Sequence, residues 1–218
     1  ELPAPKTYYN PDKPFYAMIM HGSGLRTFLE RTGGNTELAE KRLLNQYRNL
    51  VEHNVVNIPA YGLDVNNPSI WLRQLEILEE AGADLSVLFG LGSAFTSNEY
   101  YYRFTEYLAA KNAYEQNPTP ENQAIMEEKY QLYYQTLIPA MDRLRAAFTI
   151  ASEAVGHTNL YFDGWDEADW NRLLWQQPVW QFVIEELGAK IFATGNANHL
   201  NLEIKEQFLD WSGEPTRE

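Results

Sequence analysis

The 218-residue chain is 44% hydrophobic and 14% aromatic, enough apolar material for one sizeable core and one domain. Its 17 basic and 30 acidic residues give a formal charge of −13, which argues against nucleic acid and anionic membrane as partners, since both demand basic surface. There is no cysteine, so disulfides, thiolate metal sites and a thiol nucleophile are excluded, and no apolar run approaches the roughly 20 residues of a membrane span.

Residues 1–14 carry Pro3, Pro5, Pro11 and Pro14 and read as an extended lead-in. The opening Glu1-Leu-Pro-Ala-Pro-Lys6 has the look of a linker or a cut end. Phe15-Tyr-Ala-Met-Ile-Met20 is a continuous apolar run that suits a strand buried on both faces, ending in the loop His21-Gly-Ser-Gly24. Over residues 36–53, Leu43, Leu44, Tyr47, Leu50 and Val51 recur at helical spacing, with Asn35 or Thr36 as cap. Val55–Ile58 predicts a second strand, leaving through Pro59-Ala-Tyr-Gly-Leu-Asp64. Asn67-Pro68 reads as cap and first position of a helix with Trp71, Leu75 and Leu78 on one face, stopped at Gly82. Leu85–Phe89 predicts a third strand with the exit Gly90-Leu-Gly92.

The alternation then pauses. Residues 97–115 are helical and rich in tyrosine, and Asn117-Pro-Thr-Pro120 breaks them from a second helix. That helix carries an apolar stripe at Tyr130, Tyr134, Leu137, Met141, Leu144, Phe148, Ala151 and Val155, with Pro139 expected to kink it. Residues 97–136 therefore read as a helical hairpin inserted after strand three, its tyrosines serving the packing of the hairpin. Asn159–Asp163 predicts a fourth strand. Pro178 is expected to open a helix carrying Val179, Phe182, Val183 and Leu187. Ile191–Thr194 predicts a fifth strand, leaving through Gly195-Asn-Ala-Asn-His-Leu200, and Phe208–Trp211 starts a sixth.

Repeated strand-helix units of about 30 residues with glycine-bearing exits predict an α/β fold of the (β/α)8 barrel type. With five or six units over residues 1–218, the barrel is expected to be incomplete, its remaining strands coming from a longer chain or a second chain. A doubly wound sheet is the alternative; against it, Gly22-Ser-Gly24 lacks the third glycine of a phosphate-binding fingerprint.

In such a fold the strand exits build one site, and here they offer His21, Tyr61, Asp64, Asp163, Trp165, Asp166, Glu167, Asn196, Asn198 and His199. The adjacent acids Asp166-Glu167, just past a strand end and the permissive Gly164, are the strongest chemical signal. Two carboxyls suit glycoside cleavage: one protonates the leaving oxygen, the other supports the developing cation, and their repulsion raises the pKa of one. Glu167 has the longer reach and is the expected acid; Trp165 offers a ring for stacking on a sugar. His53 is explained by a helix end and His157 by a turn. A metal would have to combine His21, His199, Asp166 and Glu167, but no short ligand motif is present, so the reading carries no metal and no cofactor.

The segment Tyr161-Phe-Asp-Gly-Trp-Asp-Glu167 resembles the Asp-Glu signature of barrel glycosidases acting on N-acetylhexosaminides, glycoside hydrolase family 123 and its relatives. The resemblance implies a retaining hydrolysis in which the substrate's acetamido oxygen attacks the anomeric carbon. Asp166 would orient the acetamide and Glu167 would be the general acid/base. The expected partner is thus a carbohydrate substrate, with a non-catalytic carbohydrate-binding or scaffolding barrel piece as the alternative.

Overall fold

A computed structural model describes residues 24–92, 98–164 and 170–192. The described residues fall into two compact units, one of 24–92, 145–163 and 187–190, the other of 98–144, 164, 170–186 and 191–192.

In the first unit, α1 (Leu25–Arg31), α2 (Thr36–Glu52) and α3 (Ser69–Glu80) pack against one another. The cap of α2 is Asn35, whose side chain accepts the Leu38 N–H at 3.0 Å. The face it buries is Ala39, Leu43 and Tyr47, at the expected spacing. Helix α3 begins one residue later than the sequence suggests. Pro68 flanks it, Asn67 accepts from the Ser69 hydroxyl, and Trp71, Leu75, Ile77 and Leu78 point inward with the polar Gln74. Gly82, at φ +86°, follows the helix end.

The strands are short. They are β1 (Leu88–Phe89), β2 (Leu160–Asp163) and β3 (Lys190–Phe192), in the order β1-β2-β3. β1 and β2 run parallel, Leu88 beside Leu160 and Phe89 beside Tyr161. β1 starts late because Asp84 Oδ1 accepts the Ser86 N–H, folding residues 84–86 into a turn. In β2 the side chains alternate: Leu160 and Phe162 are buried, while Tyr161 and Asp163 are half-buried on the other face.

In the second unit α4 (Asn98–Gln116) is followed, across a three-residue break, by α5 (Pro120–Val155), whose last turns lie in the first unit. Phe104 and Tyr107 of α4 meet Tyr130 and Tyr133 of α5, with ring centroids 5.3–6.1 Å apart. The buried stripe of α5 is Tyr133, Leu137, Ala140, Leu144, Ala147 and Ala151, stepping four and three. Tyr130 and Tyr134, expected inside, stay 37% exposed, because Tyr133 takes the inner position. Pro139 does not end α5. It sits on an exposed face, where water can serve the carbonyl that a proline leaves unbonded, while Leu137, Ala140 and Met141 anchor the opposite side. Helix α6 (Trp170–Gln181) likewise runs through Pro178 rather than starting there, and passes into a π-helical turn, Phe182–Glu186, before β3.

The expected (β/α)8 barrel is overturned, and with it the barrel glycosidase likeness. The described residues are mainly helical, with six α-helices and one three-stranded sheet. The physical reason is visible at Val55–Ile58. This apolar run forms only a single-residue bridge at Asn57: the Asp84 N–H donates to the Val56 carbonyl at 2.9 Å and the Ala60 N–H to the Phe89 carbonyl at 2.8 Å, so it lies beside the β1 segment through isolated bonds rather than as a regular strand. A four-residue apolar run fits either arrangement. The expected strands at 15–20 and 208–211 lie outside the described residues.

Candidate functional site

The described part of the candidate site is the carboxyl edge of β1 and β2. The sequence ends β2 in an acid and follows β1 with Gly90-Leu-Gly92. Gly90 and Gly92 adopt φ +80° and +93°, values open to glycine and strained for other residues. The turn this permits brings the Gly92 N–H to 3.2 Å from Asp163 Oδ2, while the Asp163 N–H donates to the Gly92 carbonyl at 3.3 Å. Burial pushes the Asp163 carboxyl up to about 6, against the downward pull of the Gly92 amide. A carboxyl so placed holds its proton two pH decades longer than a free aspartate and can donate it under mildly acidic conditions.

Beside this turn runs the segment that ends in Tyr61. The Ala60 N–H donates to the Phe89 carbonyl at 2.8 Å, laying residues 58–60 along β1. Helix α3 fixes this segment from behind. Trp71 Nε1 donates to the Ala60 carbonyl at 2.6 Å, and Gln74 Nε2 to the Tyr61 carbonyl at 3.2 Å. Gln74 Oε1 also accepts the Leu25 N–H at 2.8 Å, so one buried amide joins the start of α1 to the segment before Gly62. The Tyr61 ring lies directly on Gly90. A methyl group there would stand 3.1 Å from two ring carbons and 3.0 Å from the Pro59 Cβ.

Asp64 is committed differently. Its carboxylate accepts the Asn66 N–H at 3.1 Å and pairs with Arg26 at 3.2 Å, both side chains exposed. The Asn66 amide first, and Arg26 with it, hold it below the usual carboxylate range. It is a turn-forming anion, poorly suited to carry a proton.

Of the expected site residues, Tyr61, Asp64 and Asp163 are thus placed. Tyr61 and Asp163 are joined through the Gly90–Gly92 turn, and Asp64 turns to Arg26. His21, Trp165, Asp166, Glu167, Asn196, Asn198 and His199 lie outside the described residues. Gly92, the partner of Asp163, is not among the residues expected from the sequence. The signal available was the alternation Phe89-Gly-Leu-Gly92 immediately after a strand. His157, expected only as a turn residue, has a structural part as well. His157 Nε2 stands 2.6 Å from the Leu85 carbonyl and its Nδ1 3.2 Å from the Asn159 N–H, so its ring ties the approaches to β1 and β2 together. Lys190 completes that corner, with Nζ 2.9 Å from Asn159 Oδ1 and 5.0 Å from the Tyr161 ring centroid.

Among the described residues, no three His, Asp or Glu side chains gather as metal ligands, and no helix is long and apolar enough to cross a membrane. No protein-family model, no curated protein and no solved structure matches the chain.

Proposed function

We propose that this protein cleaves glycosidic bonds by carboxyl catalysis from the segment 163–167. Glu167 is the proton donor and Asp166 its partner. Asp163 is the fixed, proton-holding group from which the segment departs. The observation that carries this reading is the Asp163 carboxyl at the carboxyl edge of a parallel strand, half-buried, amide-bonded and pushed up to about 6. Glycoside cleavage needs a carboxylic acid that is still protonated at the working pH, and desolvation, which carries the Asp163 proton into the mildly acidic range, is how proteins make one. Neutral, hydroxyl-rich substrates are also compatible with a surface charge of −13, which would repel anionic ones.

The test is hydrolysis of a panel of aryl glycosides by the full chain, N-acetylhexosaminides and their non-acetylated counterparts included. Release of the aryl alcohol by the wild type, lost in Glu167→Gln, supports the reading. A wild type that binds oligosaccharides without turnover would replace it with carbohydrate binding. No turnover and no binding would remove both.

A further inference from the structure

The exit turn after β1 and the Tyr61 ring are built as one unit. Gly90 has no side chain, and the space a side chain would fill is occupied by the Tyr61 ring and Pro59. Two residues on, Gly92 makes both of its backbone bonds to Asp163. Behind Tyr61, Trp71 and Gln74 hold the carbonyls of Ala60 and Tyr61 itself, and both side chains are almost fully buried. The ring therefore stands on a fixed backbone and leans on a flexible one.

We propose that Tyr61 is a positioning residue for Asp163: its ring, seated on Gly90, holds the Gly90–Gly92 turn so that the Gly92 amide stays directed at the Asp163 carboxylate. Glycine turns have many accessible conformations, and a ring pressed against one of them removes the others. The amide is what opposes burial at Asp163, so loosening the turn leaves burial unopposed. The inference rests on the glycosidase reading only in taking Asp163 as part of a working acid group; the positioning itself does not need that reading.

The experiment follows the Asp163 carboxyl by carbon NMR across a pH titration of the full chain, with no substrate present. In the wild type, the Gly92 amide proton is expected to titrate with the same midpoint as the Asp163 carboxyl. In Tyr61→Ala the midpoint should rise by about one pH unit, the lower end of what a hydrogen bond to a charged group contributes. Tyr61→Phe keeps the ring and should titrate as the wild type does. Gly90→Ala, which would push into the ring, should move the midpoint in the same direction as Tyr61→Ala. A folded Tyr61→Ala with an unmoved midpoint overturns the proposal. So does a wild-type Gly92 amide that ignores the Asp163 titration, a measurement that stands even if the variants fail to fold. A shifted midpoint in a protein that hydrolyses no glycoside would keep the positioning and remove the glycosidase reading.

Discussion

Asp163 and Gly92, 71 residues apart in sequence, are bonded twice: the Gly92 amide donates to the Asp163 carboxylate at 3.2 Å, and the Asp163 amide donates to the Gly92 carbonyl at 3.3 Å. One bond belongs to the backbone pairing of the two strand exits. The other directs a side chain, and it couples the acidity of that side chain to the folding of both exits.

That coupling predicts a pH-dependent stability with a definite sign. The Asp163 carboxyl is raised from 3.8 to about 6 on folding, so the folded state binds the proton more tightly than the unfolded one. Its contribution to stability is therefore full below the unfolded value, falls as pH rises between about 4 and 6, and is constant above. Asp163→Asn removes the titration and keeps an acceptor for the Gly92 amide. Its stability relative to wild type, from urea unfolding, should be greater at pH 7.5 than at pH 4 by about 1–3 kcal/mol, allowing for partial solvent contact. Parallel pH slopes in the two proteins would contradict the burial of this carboxyl.

The activity prediction concerns Glu167 and Asp163 together. Glu167→Gln preserves size and removes the transferable proton, so turnover on the preferred aryl glycoside should fall about 10²–10⁴-fold. The wild-type rate should change through about pH 6 as Asp163 ionises, and Asp163→Asn should lack that step. A full pH–rate profile of the three proteins checks both expectations.

Gln74→Leu tests the anchoring of the Tyr61 segment. The substitution removes the acceptor of the Leu25 amide and the donor to the Tyr61 carbonyl in a buried place, where Gln74 is 2% exposed. Leaving a buried polar group unsatisfied costs about 1–3 kcal/mol. The expected loss in thermal or urea unfolding is within that range, and a variant as stable as wild type would show that water replaces the amide.

Tyr133 is the centre of the aromatic packing between α4 and α5. Truncation to Ala should cost about 3–5 kcal/mol, as for other buried aromatic rings. Tyr133→Phe keeps the ring and loses only the hydroxyl's bond to the Trp175 carbonyl, so its cost should be about 1 kcal/mol. The comparison by urea unfolding separates packing from hydrogen bonding at this position.

Local signals were legible in the sequence where they depend on neighbours in the chain. Asn35 caps α2, Gly82 follows the end of α3, and the 117–119 break separates two helices. The strands near 85–89, 159–163 and 191–194 fall where the apolar runs lie, although Asp84 shortens the first of them. What failed was the step from short apolar runs to a barrel. Residues 55–58 carry the composition of a strand and make one bridge. The inner tyrosine of α5 differs from the one its spacing predicts. Tyr130, Tyr133 and Tyr134 are equivalent by type; it is the Phe104 ring, 5.4 Å from that of Tyr133, and the Trp175 carbonyl accepting from the Tyr133 hydroxyl that go with Tyr133 as the interior one. In the candidate site, Asp163 could be named as a strand-end acid. Its partner has no letter of its own, because it is a backbone amide; only the glycines of Gly90-Leu-Gly92 after a strand point to the turn that carries it.

The same anonymity changes what the Asp163 site is sensitive to. A side-chain donor is lost by almost any substitution, but a main-chain N–H at position 92 survives every replacement except proline. What variation can damage there is shape, because φ at Gly92 is +93°. Genetic drift at this turn would therefore be filtered by conformation rather than by chemistry: every replacement but proline would keep the donor, and every one, carrying a Cβ, would strain the backbone that directs it.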